Sequence, residues 1–145
     1  LLHWILAALA IGKQMNRVLS LSPDAMVIDA LDLMAKENIG AVMVVENEKL
    51  VGIFSERDYA RKGIIMGRKA KTTPVTEVMT GNVYTVTPDM NMEDCMQLFS
   101  DKHIRHLPVM HGSKVIGMLS IGDIVNAIMM EQKEHIQFLE KYITS

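Results

Sequence analysis

Apolar residues along this chain follow two rhythms, one of period two and one near 3.6, and the same succession of rhythms occurs twice. Each round opens with a short β-prone stretch, Val18 to Ser20 and then Val83 to Val86. A helix follows. Ser22 and Thr87 are read as its N-caps, with Pro23 and Pro88 at the first helical position, which suits a residue without an N–H. Val27, Ala30, Leu31 and Met34 then mark one buried face, and Met92, Cys95, Met96 and Phe99 mark the other. Next come alternating runs that predict a hairpin, Ala41 to Val45 and Leu50 to Phe54 about Asn47-Glu48. The second round matches it with Leu107 to Met110 and Val115 to Leu119 about Gly112-Ser113. A second helix starts at Ser55 and at Ser120, so the predicted order is βαββα, twice.

The two rounds are a duplication. A shift of 65 positions lays Ser22-Pro23-Asp24 on Thr87-Pro88-Asp89 and Gly52-Ile53-Phe54-Ser55 on Gly117-Met118-Leu119-Ser120, and Asp58 on Asp123, without a gap. One such unit cannot cover both faces of its small sheet, so the pattern predicts an α+β fold whose copies pack as one pseudo-two-fold module. The expected organisation is an N-terminal helix over 1–15, repeat one over 16–66, a connector over 67–80, repeat two over 81–130 and a C-terminal helical extension over 131–145. Trp4, Ile5, Leu6 and Leu9 share a face of the first helix. Ile124, Ile128, Ile136, Leu139 and Ile143 carry an apolar stripe past the end of repeat two, to dock along the module or to pair across a homodimer.

Composition narrows the function. At 145 residues the chain is shorter than the roughly 200 residues a barrel enzyme needs. A net charge of -2 excludes the strong positive excess of a general nucleic-acid binder. The apolar run from Leu1 to Ile11 is well short of the roughly 20 residues of a membrane span. A single cysteine, Cys95, excludes an internal disulfide and a cysteine-based zinc cluster, and fits a reducing compartment such as the cytoplasm. The 13 methionines are read as adaptable core filler. The chain opens on Leu1 rather than Met, which leaves a longer natural product open.

No nucleotide-binding, metalloprotease or hydrolase signature occurs, and His103 with His106 has no third metal ligand nearby in sequence. The informative residues are Ser55 with Asp58 and their copies Ser120 with Asp123. Ser-x-x-Asp at a helix start makes a capping box. The same geometry also suits a nucleotide, since free N–H groups face a phosphate while a carboxylate accepts ribose hydroxyls. Both readings stand on the residues alone. Six of the chain's 15 cations, Arg57, Arg61, Lys62, Arg68, Lys69 and Lys71, crowd just after the first copy. Arg105-His106 precedes the strand Leu107-Pro108-Val109, where a guanidinium can pair with a phosphate.

Two tandem βαββα units, each closing on Gly-apolar-x-Ser-x-x-Asp, with Arg105-His106-Leu107-Pro108-Val109 before the second hairpin, resemble a pair of cystathionine β-synthase (CBS) domains over residues 16–130. The resemblance implies a non-catalytic regulatory module. Its two clefts would bind AMP, ADP, ATP or NAD(H), with S-adenosylmethionine a weaker candidate and no catalytic cofactor. Asp58 and Asp123 would hold the ribose, while Ser55, Ser120, Arg105 and His106 would approach the phosphates and Pro108 would belong to the same set. Each cleft would also borrow from the other repeat, Ser20, Gly40 and Ala41 for one and Thr85 and Ile104 for the other. Repeat one has Gly40-Ala41-Val42-Met43 where repeat two has Arg105-His106-Leu107-Pro108, so the clefts should differ, with Arg57 supplying phosphate contact to the first. A cytoplasmic homodimer acting on a separate effector protein, with no nucleic acid or membrane partner, completes the expectation. Its rivals are a regulatory fragment of a larger enzyme or transporter, and a nucleotide enzyme using Asp58 or Asp123 as base.

Overall fold

A computed structural model describes residues 19–144, so the helix expected over 1–15 lies outside the described residues. Within them the chain forms two compact units, residues 19–84 with the hairpin tip 112–115, and residues 85–111 with 116–144.

The first unit runs β1 (Ser20–Leu21), α1 (Val27–Glu37), β2 (Ala41–Glu46), β3 (Lys49–Ser55) and α2 (Glu56–Asp58). A π-helical segment, Tyr59–Ile64, continues α2, and a 3-10 turn, Val75–Glu77, follows. β2 is central. It pairs parallel with β1 through Ser20 opposite Met43 and antiparallel with β3 through Ala41 opposite Ser55, with a bulge at the Val44/Val45 step. Asn47 and Glu48 both take positive φ, 51° and 66°, the two-residue turn whose twist matches the strands it joins. Val27, Ala30 and Met34 of α1 pack on Val42, Val44 and Phe54 of the sheet.

α1 starts later than the sequence predicts. Ser22 and Pro23 form a turn, with the Asp24 N–H donating to Ser22 Oγ at 3.2 Å, and the helix is capped from Met26, whose N–H donates to Asp29 Oδ2 at 2.9 Å. The reason lies in the stretch expected as a connector. Its Thr73 and Ala70 carbonyls accept the Val27 and Ile28 N–H groups, each at 2.9 Å, which satisfies donors that every helix start leaves open. Val75 and Val78 of the same stretch are fully buried in the core. Arg68 closes the segment, its Nη1 donating to the carbonyls of Lys62 and Glu77 at 3.2 and 3.0 Å.

The second unit repeats the plan with α3 (Met92–Lys102), β4 (His106–His111), β5 (Lys114–Ser120) and α4 (Ile121–Thr144). Met92, Cys95 and Phe99 pack on Leu107, Val109 and Leu119, with Ile124 and Ala127 of α4. Thr87 is again a turn residue rather than the cap, bonding Asp89 through its hydroxyl, and Asn91 caps α3 by accepting the Asp94 N–H at 2.8 Å. The strand expected over Val83 to Val86 shrinks to one bridge between Val86 and Val109. The Cys95 thiol, buried in this core, is pushed up to about 11 by desolvation and stays neutral at physiological pH. α4 is one continuous helix, in which Ile124 is buried and Ile136, Leu139 and Ile143 are exposed.

Candidate functional site

In each unit the strand that ends on Ser turns directly into a helix, and the start of that helix folds back on the strand beside it. The Glu56 N–H donates to the Gly40 carbonyl at 3.1 Å, and the Ile121 N–H donates to the Arg105 carbonyl at 2.9 Å. The capping box closes in both. Ser55 Oγ accepts the Asp58 N–H at 3.1 Å while Asp58 Oδ2 accepts the Ser55 N–H at 3.0 Å. Ser120 Oγ accepts the Asp123 N–H at 3.1 Å and Asp123 Oδ2 accepts the Ser120 N–H at 2.8 Å. These bonds use the first and third helical N–H groups. A phosphate at either start therefore meets fewer open donors than a bare helix end offers.

The two carboxylates are otherwise not alike. Asp58 also receives the Ser55 hydroxyl on Oδ2 at 3.1 Å, the Thr80 hydroxyl on Oδ1 at 3.1 Å and the Lys62 ammonium at 3.7 Å from Oδ1. Thr80 is brought there by its backbone, which exchanges both hydrogen bonds with Ile53 at 2.8 and 2.9 Å. Gly52 makes that approach possible, because a Cβ there would stand 3.0 Å from the Thr80 carbonyl oxygen and 2.5 Å from Met79 Sδ. Among the described residues, Asp123 has no further bond beyond its capping box.

Nothing in the sequence pattern points to Thr80. It lies outside the aligned repeat, so no copy draws attention to it. Lys62 was legible as an i,i+4 partner of Asp58, and its copy in repeat two is Ala127, which has no charge.

The remaining expected residues divide by unit. Gly40 and Ala41 stand at the Ser55 end of the β2–β3 ladder, and Ser20 is exposed farther along the sheet, opposite Met43. Arg57 is exposed on the first turn of α2. A shallow hollow of about 370 Å³ lined by Leu31, Met34, Ile39 and Glu56 takes in Gly40 alone of the expected set. In the second unit Arg105 is exposed and joined to the start of α4 through its carbonyl, and His106 opens β4 half-buried. Ile104 packs against the core, and Thr85 is exposed next to the Val86 bridge. Pro108 is buried within β4, its carbonyl accepting the Val86 N–H at 3.0 Å. His103 is the left-handed end of α3 at φ 53°. No group of His, Cys, Asp and Glu among the described residues is arranged to hold a metal ion, and no helix among them is long and apolar enough to cross a membrane.

This duplicated architecture is that of a tandem domain pair, and it is shared with known proteins. The family model for the CBS domain matches residues 11–64 and again 75–130, and the chain belongs to that family. It is 45% identical over 125 residues to the mitochondrial CBS domain-containing protein CBSX3 of Arabidopsis thaliana, covering 83% of this chain and 61% of the relative. The chain thus spans less than two thirds of that relative's length. The crystal structure of the CBS domain protein NE2398 superposes with a TM-score of 0.82 at 41% identity, covering 87% of this chain and 97% of that one. The CBS pair of MJ0100, solved in complex with 5′-methylthioadenosine and S-adenosyl-L-methionine, superposes at 0.72 and 22% identity, covering 81% and 93%, a likeness of fold.

Proposed function

We propose that the chain is a non-catalytic regulatory module that binds an adenosine compound, AMP, ADP, ATP or NAD(H) ahead of S-adenosylmethionine, and converts binding into a change of conformation or of partner. The observation that carries this reading is the Asp123 carboxylate. Its Oδ2 is fixed by the Ser120 N–H at 2.8 Å, so the group is oriented before any ligand arrives. A pre-oriented carboxylate is an acceptor for ribose hydroxyls, and membership in a family with a relative solved with adenosine compounds supports the same chemistry. Ser120, Arg105 and His106 are assigned to the phosphate side of this site, and Asp58, with Ser55 and Arg57, to a second site. Ser20, Gly40, Ala41, Thr85, Ile104 and Pro108 complete the proposed set. The single buried thiol suits a reducing compartment, the cytoplasm being the first choice.

A thermal-shift panel of AMP, ADP, ATP, NAD(H) and S-adenosylmethionine on ligand-stripped protein tests the reading. A compound present at about 100 times its Kd stabilises the fold by roughly 2.7 kcal/mol, a rise of about 5 to 10 °C for a domain of this size. No response across the panel refutes the proposal.

The module is further proposed to act as a homodimer through α4. Val125, Met129, Gln132, Ile136, Leu139 and Ile143 recur at alternating spacings of four and three, a seam that is apolar at every position but Gln132. His135 and Glu140 then fall on opposing flanks of the pair. Light scattering should give a dimer mass, and Ile136→Lys with Leu139→Lys should reduce it to a monomer.

A further inference from the structure

The two binding carboxylates differ in what a ribose would have to displace. We infer that Thr80 and Lys62 act as an internal latch on Asp58, so that the Asp123 site fills first and the Asp58 site is held in reserve. The inference rests on the adenosine-binding reading above and concerns how its two sites are ranked.

Both carboxylates spend Oδ2 on their own capping box, at 3.0 Å from the Ser55 nitrogen and 2.8 Å from the Ser120 nitrogen. A carboxylate offers about four acceptor positions, two on each oxygen. In Asp58 the Ser55 hydroxyl takes the second position on Oδ2 at 3.1 Å, Oδ1 accepts the Thr80 hydroxyl at 3.1 Å and lies 3.7 Å from the Lys62 ammonium, and the side chain is only 14% exposed. An incoming ribose hydroxyl offers the same kind of bond that Thr80 already makes. Exchange therefore gains little, and it leaves the displaced threonine hydroxyl to find another partner. Asp123 makes no such bond among the described residues, and its copy of Lys62 is Ala127, fully buried in the core. A ribose there adds a bond without breaking one.

The latch is built into the fold rather than into a mobile side chain. The Ile53–Thr80 backbone pair sets the height of the hydroxyl over the end of β3. Gly52 lets the strand segments close to that distance. Thr80→Val keeps the backbone pair and the β-branched shape and removes only the donor, whereas Thr80→Ser keeps the donor.

Calorimetric titration of the wild-type chain, Thr80→Val, Thr80→Ser, Asp58→Ala and Asp123→Ala is the test, using AMP, ATP, NAD and S-adenosylmethionine as probes. The expected result is one tighter and one weaker site in wild type, with Asp123→Ala removing the tighter and Asp58→Ala the weaker. Thr80→Val should tighten the weaker site about tenfold and leave the other unchanged, the size expected for removing one hydroxyl competitor from a carboxylate. Thr80→Ser should behave as wild type. The inference is overturned if Asp58→Ala abolishes the tighter site, or if Thr80→Val leaves the weaker one unmoved. Absence of binding by every probe would instead overturn the adenosine reading itself, and the ranking with it.

Discussion

Met43 and Pro108 occupy the same position in the two repeats, and the backbone N–H that one has and the other lacks sets how far the leading strand pairs. The Met43 N–H donates to the Leu19 carbonyl at 3.4 Å, and β1 forms beside it. Pro108 has no hydrogen to give. Its carbonyl still accepts the Val86 N–H, so pairing survives there only as the Val86–Val109 bridge. Met43→Pro should therefore cost about 2 kcal/mol or more, through the lost bond and the cavity left by a fully buried side chain. Chemical denaturation measures it, and an unchanged midpoint would mean that this bond does not hold β1.

Asn38 and His103 end α1 and α3 in the same left-handed conformation, at φ 54° and 53°. Asn tolerates that region better than most residues, and His carries more of the steric cost of its Cβ. Replacing His103 with Gly should stabilise the second unit by about 0.5 to 1 kcal/mol, and Asn38→Gly by less. A fall in melting temperature on His103→Gly would show that the imidazole contributes more than the backbone relief.

Gly52→Ala places a methyl 3.0 Å from the Thr80 carbonyl oxygen and 2.5 Å from Met79 Sδ. Met79 can move aside, but the carbonyl belongs to the bridge with Ile53. A loss of about 1 to 3 kcal/mol is expected, together with weaker protection of the Thr80 amide in hydrogen exchange. Unaltered protection would refute the close packing described for this strand.

The Cys95 thiol should resist alkylation in the folded protein and react once the chain is denatured. Burial raises its folded value from 9.0 to about 11, so the native state holds the proton more tightly than the unfolded chain. This thiol's contribution to stability is therefore intact below pH 9 and declines as pH rises toward about 11. Comparing wild type with Cys95→Ala across that range isolates the effect. Equal slopes would contradict it.

Much of this was legible from residues alone. The 65-residue shift carries real structural equivalence: Leu21 pairs with Val44 where Val86 bridges Val109, and Asn38 and His103 share their helix-ending conformation. Both Ser-x-x-Asp boxes form where they were expected. The helix starts lie later than the pattern predicts because Ser-Pro suits a turn as well as a cap, and the decisive partners of α1, Ala70 and Thr73, lie more than forty positions along the chain. The connector looked like a linker because its cations stand on the surface while Val75 and Val78, spaced three apart, give too short a pattern to announce a core turn. Thr80 was invisible for a related reason. Its role depends on a long-range strand bridge, which local periodicity does not encode.

The central claim is that the Asp123 carboxylate receives a ribose hydroxyl, and a cycle of two changes tests it most directly. The affinities of wild type and Asp123→Ala are measured for the tightest adenosine compound of the panel and for its 2′-deoxy analogue. Wild type should prefer the ribose form by about tenfold, as expected for one hydrogen bond to a charged acceptor. Asp123→Ala should bind both forms weakly and alike. Equal preference for the ribose form in wild type and variant would contradict the account.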